Sequence, residues 1–365
     1  MREAGNFSSH VDFVRVKETL SKQGDSFTVF GGEPLLTPLY RLEEIFQFGF
    51  DKYGKNGIQT NGLLITDKHI DIFRKYNVHV GLSLDGKGKL NSPRCCTDDT
   101  DKIVRNIENL FSNHIDWSII TTIHRLNGSQ IDDLIDFLKS MESLGALSVN
   151  LHNLEIDFRA DGITLTKEEN LEIFFRLYQH SKESNIPYHP FTDIRDKLTG
   201  RDAHCVWNNC DPITTPAVQG ISADGYLSNC GRVNKDGVNW LKPEGHGSER
   251  YLALWNIPLE YGGCKDCNYF FVCGGQCPGT AIDGDWRNKT RDCWFWYELI
   301  RLIERDLSLI SNYSDKNLAL VERMSNPSTN DSHGDVPHGD GHGDEHGDHT
   351  DRTYKSQGVS VVWRD

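Results

Sequence analysis

The chain has 365 residues, a formal net charge of −14 and 37% hydrophobic residues. That length suits one large domain with a smaller companion. The acidic balance argues against nucleic acid or an anionic membrane as the main partner, and no run of about 18 apolar residues offers a membrane span. The opening residues Met1, Arg2, Glu3 and Ala4 lack an apolar signal region. Ten cysteines without such a signal predict a cytoplasmic protein, because in a reducing compartment clustered thiols serve more often as metal ligands than as disulfides.

In chain order, residues 11–21 read as a helix. Short apolar runs at 27–30, 57–59, 78–84, 117–123 and 146–151 read as strands, with amphipathic helices at 39–53, 68–76, 101–112 and 131–144 between them. Ile131, Leu134, Ile135, Leu138 and Met141, for example, recur at helical spacing. A further helix is predicted over 167–184, with Thr166 as its N-cap and Glu169 completing a capping box. Strands alternating with helices predict βα units around a parallel sheet or barrel.

Three of these strands end in small and polar residues. The first runs into Gly31-Gly32-Glu33-Pro34, the second into Gln59-Thr60-Asn61-Gly62 and the third into Ser83-Leu84-Asp85-Gly86. In βα barrels ligands bind at the C-terminal strand ends. Two glycines expose bare backbone, and a carboxylate beside them suits an ammonium group. Taken singly, each segment reads equally well as a turn; together they point to one shared pocket.

From Cys205 the texture changes to glycines, aromatics and cysteines. Residues 221–223 and 226–228 flank Asp224-Gly225, a hairpin signal, and 294–310 returns to helical patterning. Eight of the ten cysteines lie here: Cys205, Cys210, Cys230, Cys264, Cys267, Cys273, Cys277 and Cys293. Their core reads C-x2-C-x5-C-x3-C, preceded by Cys210 and by Gly225-x4-Cys230. Packing does not require thiols at that density, whereas zinc and iron–sulfur clusters do. Eight ligands suffice for two four-thiolate sites. The adjacent Cys95 and Cys96 have no third cysteine near them and read as incidental loop thiols.

The strand-end motifs and the cysteine spacing together resemble the radical S-adenosylmethionine (SAM) enzymes that carry a C-terminal SPASM domain, over about residues 27–310. The fold this implies is α/β: a partial (β/α)6 barrel lacking its first strand over residues 1–200, a cysteine-rich SPASM domain over 201–312, and a linker and tail over 313–365. By the resemblance, Gly31, Gly32 and Glu33 contact the amino group of SAM, and Asn61, Ser83 and Asp85 line its pocket. It likewise implies a first auxiliary [4Fe-4S] cluster on Cys205, Cys210, Cys230 and Cys277, and a second on Cys264, Cys267, Cys273 and Cys293. A pair of structural zinc sites is the alternative, and it leaves the strand-end motifs unexplained.

One departure is large. The C-x3-C-x2-C run that binds the SAM-reducing [4Fe-4S] cluster in this superfamily is absent, and no cysteine precedes Cys95. The chain as written is therefore expected not to cleave SAM, and Met1 is read as an internal start or a truncation point. An intact relative releases a 5′-deoxyadenosyl radical that abstracts hydrogen from an unactivated carbon. The resemblance implies a peptide or protein substrate and an electron donor such as flavodoxin or ferredoxin. Anaerobic sulfatase maturases are similar in arrangement, but where they carry Asp after the cysteine matching Cys230, this chain has Gly231. No general base is nominated. The alternative function is a catalytically inactive SPASM-bearing module that binds a peptide or passes electrons.

The tail carries five His-x-Asp triplets, beginning at His333, His338, His342, His346 and His349. With little apolar content the segment is predicted to be disordered. It reads either as a fused substrate, held at high effective concentration by its tether, or as a metal-binding or merely solvated tail. Residues 358–363 turn apolar again, and the terminal Trp363-Arg364-Asp365 reads as a further aromatic-x-acid triplet or as the end of a short strand that docks on the barrel.

Overall fold

The computed structural model describes residues 11–22, 26–154, 162–203, 205–208, 210, 219–230, 249–310 and 359–363. Helix α1 (Phe13–Lys22) precedes β1 (Phe27–Gly31). Then come α2 (Leu39–Tyr53), β2 (Asn56–Thr60), α3 (Asp67–Lys75), β3 (Val78–Ser83), α4 (Thr97–Ser112) and β4 (Trp117–Ile123). The short α5 (Arg125–Gly128), α6 (Ile131–Ser143), β5 (Val149–Asn153), α7 (Lys167–Ser181), β6 (Tyr188–His189) and α8 (Phe191–Leu198) follow. The cysteine-rich part contributes β7 (Gln219–Ile221), β8 (Leu227–Asn229), α9 (Glu249–Asn256), α10 (Phe270–Cys273) and α11 (Cys293–Ile310), and β9 (Val359–Trp363) lies near the C-terminus.

Strands β1 to β6 pair with their sequence neighbours, all in parallel. This parallel six-strand sheet with its helices is built from consecutive βα units, in agreement with the α/β fold read from the sequence. The helices form where the apolar period demands: α6 buries Ile131, Leu134, Phe137, Leu138 and Met141. The Thr166 hydroxyl accepts from Glu169 N at 3.1 Å while the Glu169 carboxylate accepts from Thr166 N at 2.7 Å, so α7 opens on a reciprocal capping box. Two local differences stand out. The two-residue β6 carries too little pattern to be seen in sequence. The hairpin strands lie farther from the turn than the sequence suggests, with 222–226 forming the turn itself.

That turn explains one glycine of the cysteine motif. Gly225 has φ +81, and a Cβ there would come within 2.4 Å of the Arg15 side chain. Its bare backbone lets α1 lie against the hairpin: the Thr19 hydroxyl donates to Gly225 O at 2.7 Å, and the Arg15 guanidinium sits 4.5 Å above the Tyr226 ring. Helix α11 provides a second tie. Its Phe295, Leu299, Ile300 and Ile303 are buried, Phe295 meets Phe174 of α7 edge-on at 5.1 Å, and Tyr178 donates to Asp306 at 2.7 Å.

The full sheet order is β6-β5-β4-β3-β2-β1-β9-β7-β8. The C-terminal strand β9 docks parallel to β1, pairing Phe27 with Val359 and Gly31 with Trp363, and it also pairs in parallel with β7. The docking anticipated for residues 358–363 is therefore present. The His-x-Asp triplets lie outside the described residues. Among the described residues, no helix is long and apolar enough to cross a membrane.

Candidate functional site

Because β1 to β4 are parallel and adjacent, their C-terminal ends form one rim. At β1, Gly31 has φ +134, a backbone that side chains rarely adopt. It turns the chain so that the Glu33 carboxylate faces β2. Oε1 of Glu33 accepts from Leu35 N at 3.0 Å and from the Thr60 hydroxyl at 2.5 Å, and Oε2 accepts from Asn61 N at 2.9 Å. An ionised carboxylate has about four acceptor positions, so the protein fills most of them and little is left for a ligand's ammonium. Glu33 is thus first a brace between the ends of β1 and β2. Gly32 is exposed beside it, and Asn61, also exposed, uses its side chain to accept from Leu63 N at 2.9 Å. Ser83 ends β3 with its side chain half-buried.

Asp85 lies deeper, at 2% exposure. Its Oδ1 accepts from Thr122 N at 2.7 Å, tying β3 to β4, and its Oδ2 lies 2.6 Å from Arg94 Nε and 3.7 Å from His124 Nε2. Burial by itself would raise the Asp85 pKa. His124, the Arg94 charge and the Thr122 amide together outweigh it and hold the carboxyl below the ordinary range. Arg94 also donates to the Thr122 hydroxyl at 3.0 Å, and about a third of its side chain stays exposed at the rim. Asp85 therefore anchors a cation rather than facing the pocket alone. Arg94 and His124 were not singled out in the sequence. His124 directly follows β4, so the strand-end rule used for its neighbours would have found it; Arg94 sits in a loop with no local signal.

The cysteines separate into two groups. Cys210, Cys277 and Cys230 lie near enough to Cys205 that their charges oppose ionisation of its thiol, whose sulfur is desolvated although the residue as a whole is exposed, so that its pKa is raised first by desolvation and then by these neighbours. Cys264, Cys267, Cys273 and Cys293 line one cavity, together with Tyr269, Phe270, Lys289 and Tyr297. There desolvation, then Cys293 and Cys267, push the Cys264 thiol up to about 12. Cys273 and Cys293 are also raised, with burial as the largest cause.

The division follows from a local turn. Gly274, Gly275 and Gln276 have φ of +60, +72 and +57. Three consecutive left-handed residues reverse the chain between Cys273 and Cys277, so the ends of this C-x3-C face different groups. The left-handed Asp266, φ +62, similarly bends the chain between Cys264 and Cys267, where Cys267 N donates to Cys264 O at 3.1 Å. No disulfide joins any of the ten cysteines. Cys95 lies apart in the barrel, where its sulfur accepts from Asn91 Nδ2 at 3.2 Å.

A metal or cluster bound by such thiols would displace their protons. Among the described residues no three His, Cys, Asp or Glu side chains converge at the spacing of a single metal ion. Zinc at about 2.3 Å from each sulfur would draw four thiolates close together; a multi-iron cluster spreads the same ligands around a larger core. Eight thiols in two groups are a donor set that suits either iron–sulfur clusters or zinc.

Residues 2–138 match the radical SAM superfamily. The chain is 27% identical over 331 residues to the cysteine-type anaerobic sulfatase-maturating enzyme of Clostridium novyi, covering 82% of this chain and 84% of the relative. It is 22% identical over 301 residues to the serine-type enzyme of Bacteroides thetaiotaomicron, covering 69% and 68%. Among solved structures, native anSMEcpe with bound AdoMet and the Cp18Cys peptide shares the fold, with TM-score 0.64 and 18% identity over 83% of this chain and 91% of that one. Residues 2–138 therefore carry the radical SAM match, the fold is a partial radical SAM (β/α) fold, and the chain is similar over most of its length to anaerobic sulfatase-maturating enzymes.

Proposed function

We propose that this protein belongs to a peptide-modifying radical SAM/SPASM system, binding SAM at the barrel rim and holding two auxiliary [4Fe-4S] clusters. The observation that carries the reading is the pairing of a rim braced by Glu33 and Asp85 with eight thiols sorted into two groups. Cys205, Cys210, Cys230 and Cys277 would hold one cluster, and Cys264, Cys267, Cys273 and Cys293 the other. Such clusters supply one-electron transfer close to the substrate. This chain's own residues do the rest. Gly31 and Gly32 offer bare backbone to the SAM amino group. Glu33 fixes the β1 and β2 ends around it, and Asn61 and Ser83 line the pocket. Asp85 holds Arg94 where its guanidinium meets a carboxylate. A low-potential donor such as flavodoxin or ferredoxin is the partner such centres require.

The residues for the SAM-reducing cluster do not fit, because the C-x3-C-x2-C run is absent from this sequence, and no step is assigned to that cluster. Two assays test the reading. Calorimetric titration of the anaerobically reconstituted chain is expected to show SAM binding, and the same sample is expected to release no 5′-deoxyadenosine. Absence of SAM binding would overturn the proposed pocket. The alternative reading is a SPASM-bearing module that binds a peptide or passes electrons.

A second reading concerns the substrate. The docking of β9 beside β1, with Trp363 in register with Gly31, brings the end of the chain to the ligand side of the sheet. That favours handling of the chain's own tail, whether at Trp363-Arg364-Asp365 or at the His-x-Asp triplets. Mass spectrometry of the tail from the native host is expected to show a mass change within residues 333–365; an unmodified tail beside an active complete enzyme would refute it.

A further inference from the structure

Arg250, in α9, lies between the two cysteine groups at 2% exposure. A guanidinium has five N–H donors, and here each reaches a backbone carbonyl. Nε donates to Trp286 O at 2.7 Å, Nη1 to Cys210 O at 3.3 Å and Gly274 O at 3.2 Å, and Nη2 to Gly275 O and Asn288 O, both at 3.1 Å. These acceptors are not scattered. Cys210 belongs to the first group of thiols. Gly274 and Gly275 form the turn that sends Cys273 to the second group and Cys277 to the first. Asn288 adjoins Lys289, which lines the second cavity. One planar cation thus grips the backbone of both groups at once. It holds the Cys210 carbonyl in the first group, and the carbonyl of Gly275, which lines the second cavity beside Cys264 and Cys273.

The position is built rather than incidental. A Cβ on Gly275 would come within 2.5 Å of Leu254 Cδ1 and 3.4 Å of Arg250 Nη2, so the turn has room only for bare backbone against α9. A lysine in place of the arginine would satisfy at most three of the five carbonyls.

We propose that Arg250 is a positioning residue shared by the two auxiliary cluster sites, fixing their cradles to one another and raising the reduction potential of both. The proposal rests on the reading that the two thiol groups hold iron–sulfur clusters. Reduction adds a negative charge to a cluster, and cluster potentials respond to nearby charge and hydrogen bonding. A buried cation facing both centres therefore favours the reduced state of each. Charge interactions are strong there because the surroundings exclude water.

The test uses the full chain, reconstituted anaerobically, with iron and sulfide analysis and redox titration followed by electron paramagnetic resonance. In R250Q both cluster midpoints are expected to fall together, with iron content retained. In R250K, which keeps the charge but loses the fork, both signals are expected to change in shape while the midpoints move less. A fully loaded R250Q with unchanged midpoints, or a change confined to one cluster, would overturn the proposal. If R250Q does not load iron, R250K decides: altered signals from both clusters support a shared role, and an effect on one or neither refutes it. A wild-type chain that takes up no iron and sulfide would instead refute the cluster reading on which this one stands.

Discussion

A carboxylate as buried as Asp85 is tolerable only because its charge is answered on every side. Arg94 at 2.6 Å and the Thr122 amide at 2.7 Å supply that answer, and removing the charge leaves Arg94 without its anchor. Asp85→Asn is expected to destabilise the fold by about 1.5–3 kcal/mol, the usual worth of a hydrogen bond to a charged group, as measured by urea denaturation. The pH dependence has a definite sign. Because the folded pKa is depressed, the stabilisation is complete above the ordinary carboxylate range and is lost as pH falls through the lowered value. Denaturation midpoints of wild type and D85N are therefore expected to converge in acid, and a constant gap would contradict the assignment. At the neighbouring brace, Glu33→Gln turns an amide NH2 toward either Asn61 N or the pair of Leu35 N and the Thr60 hydroxyl, so that a donor meets a donor in either orientation. It is expected to weaken SAM binding about tenfold or more, read by calorimetry. The placement of Gly31, Gly32, Glu33, Asn61, Ser83 and Asp85 at one rim was legible, because each lies at or just beyond the end of a recognisable strand. Arg94 was not, because only the folded loop brings it back to the rim.

Among the elements, the helices were the most legible, since an amphipathic period over three or four turns is hard to mistake. Helix α2 begins and ends where its pattern does. Strand β6 failed to register because two residues cannot establish a period. The docking of β9 was foreseeable from the apolar run at 358–363, but its partner was not. Nothing local tells a strand which edge it will join, and β1 lies more than 300 residues earlier in the chain. Proline in that strand supplies a test, because it removes a ladder donor. Val361→Pro is expected to abolish amide-exchange protection across Val359–Trp363 and to increase exchange in β1 and β7. Unchanged protection would show that the pairing does not persist in solution. The Gly274-Gly275-Gln276 turn is open to a separate test. Gly275→Ala places a side chain at φ +72 and against Leu254, which is expected to cost about 1–2 kcal/mol from the backbone alone and to lower iron loading.

For the molecule as a whole, we propose that eight cysteines serve as two separate four-thiolate sites beside a braced SAM rim. The spacing of the thiols was visible in sequence. Their division into two groups was implied by the family resemblance, and the left-handed turn after Cys273 gives it a physical cause; Arg250 carried no signal, because an arginine in the first turn of an ordinary helix looks like a surface charge. The most direct test is to count iron and acid-labile sulfide after anaerobic reconstitution of the wild-type chain, Cys210→Ala and Cys267→Ala. The account predicts about eight of each for wild type, a brown chromophore, and loss of about half the iron in either single variant through different clusters. A colourless protein, or one that binds zinc and takes up no iron and sulfide, would contradict it.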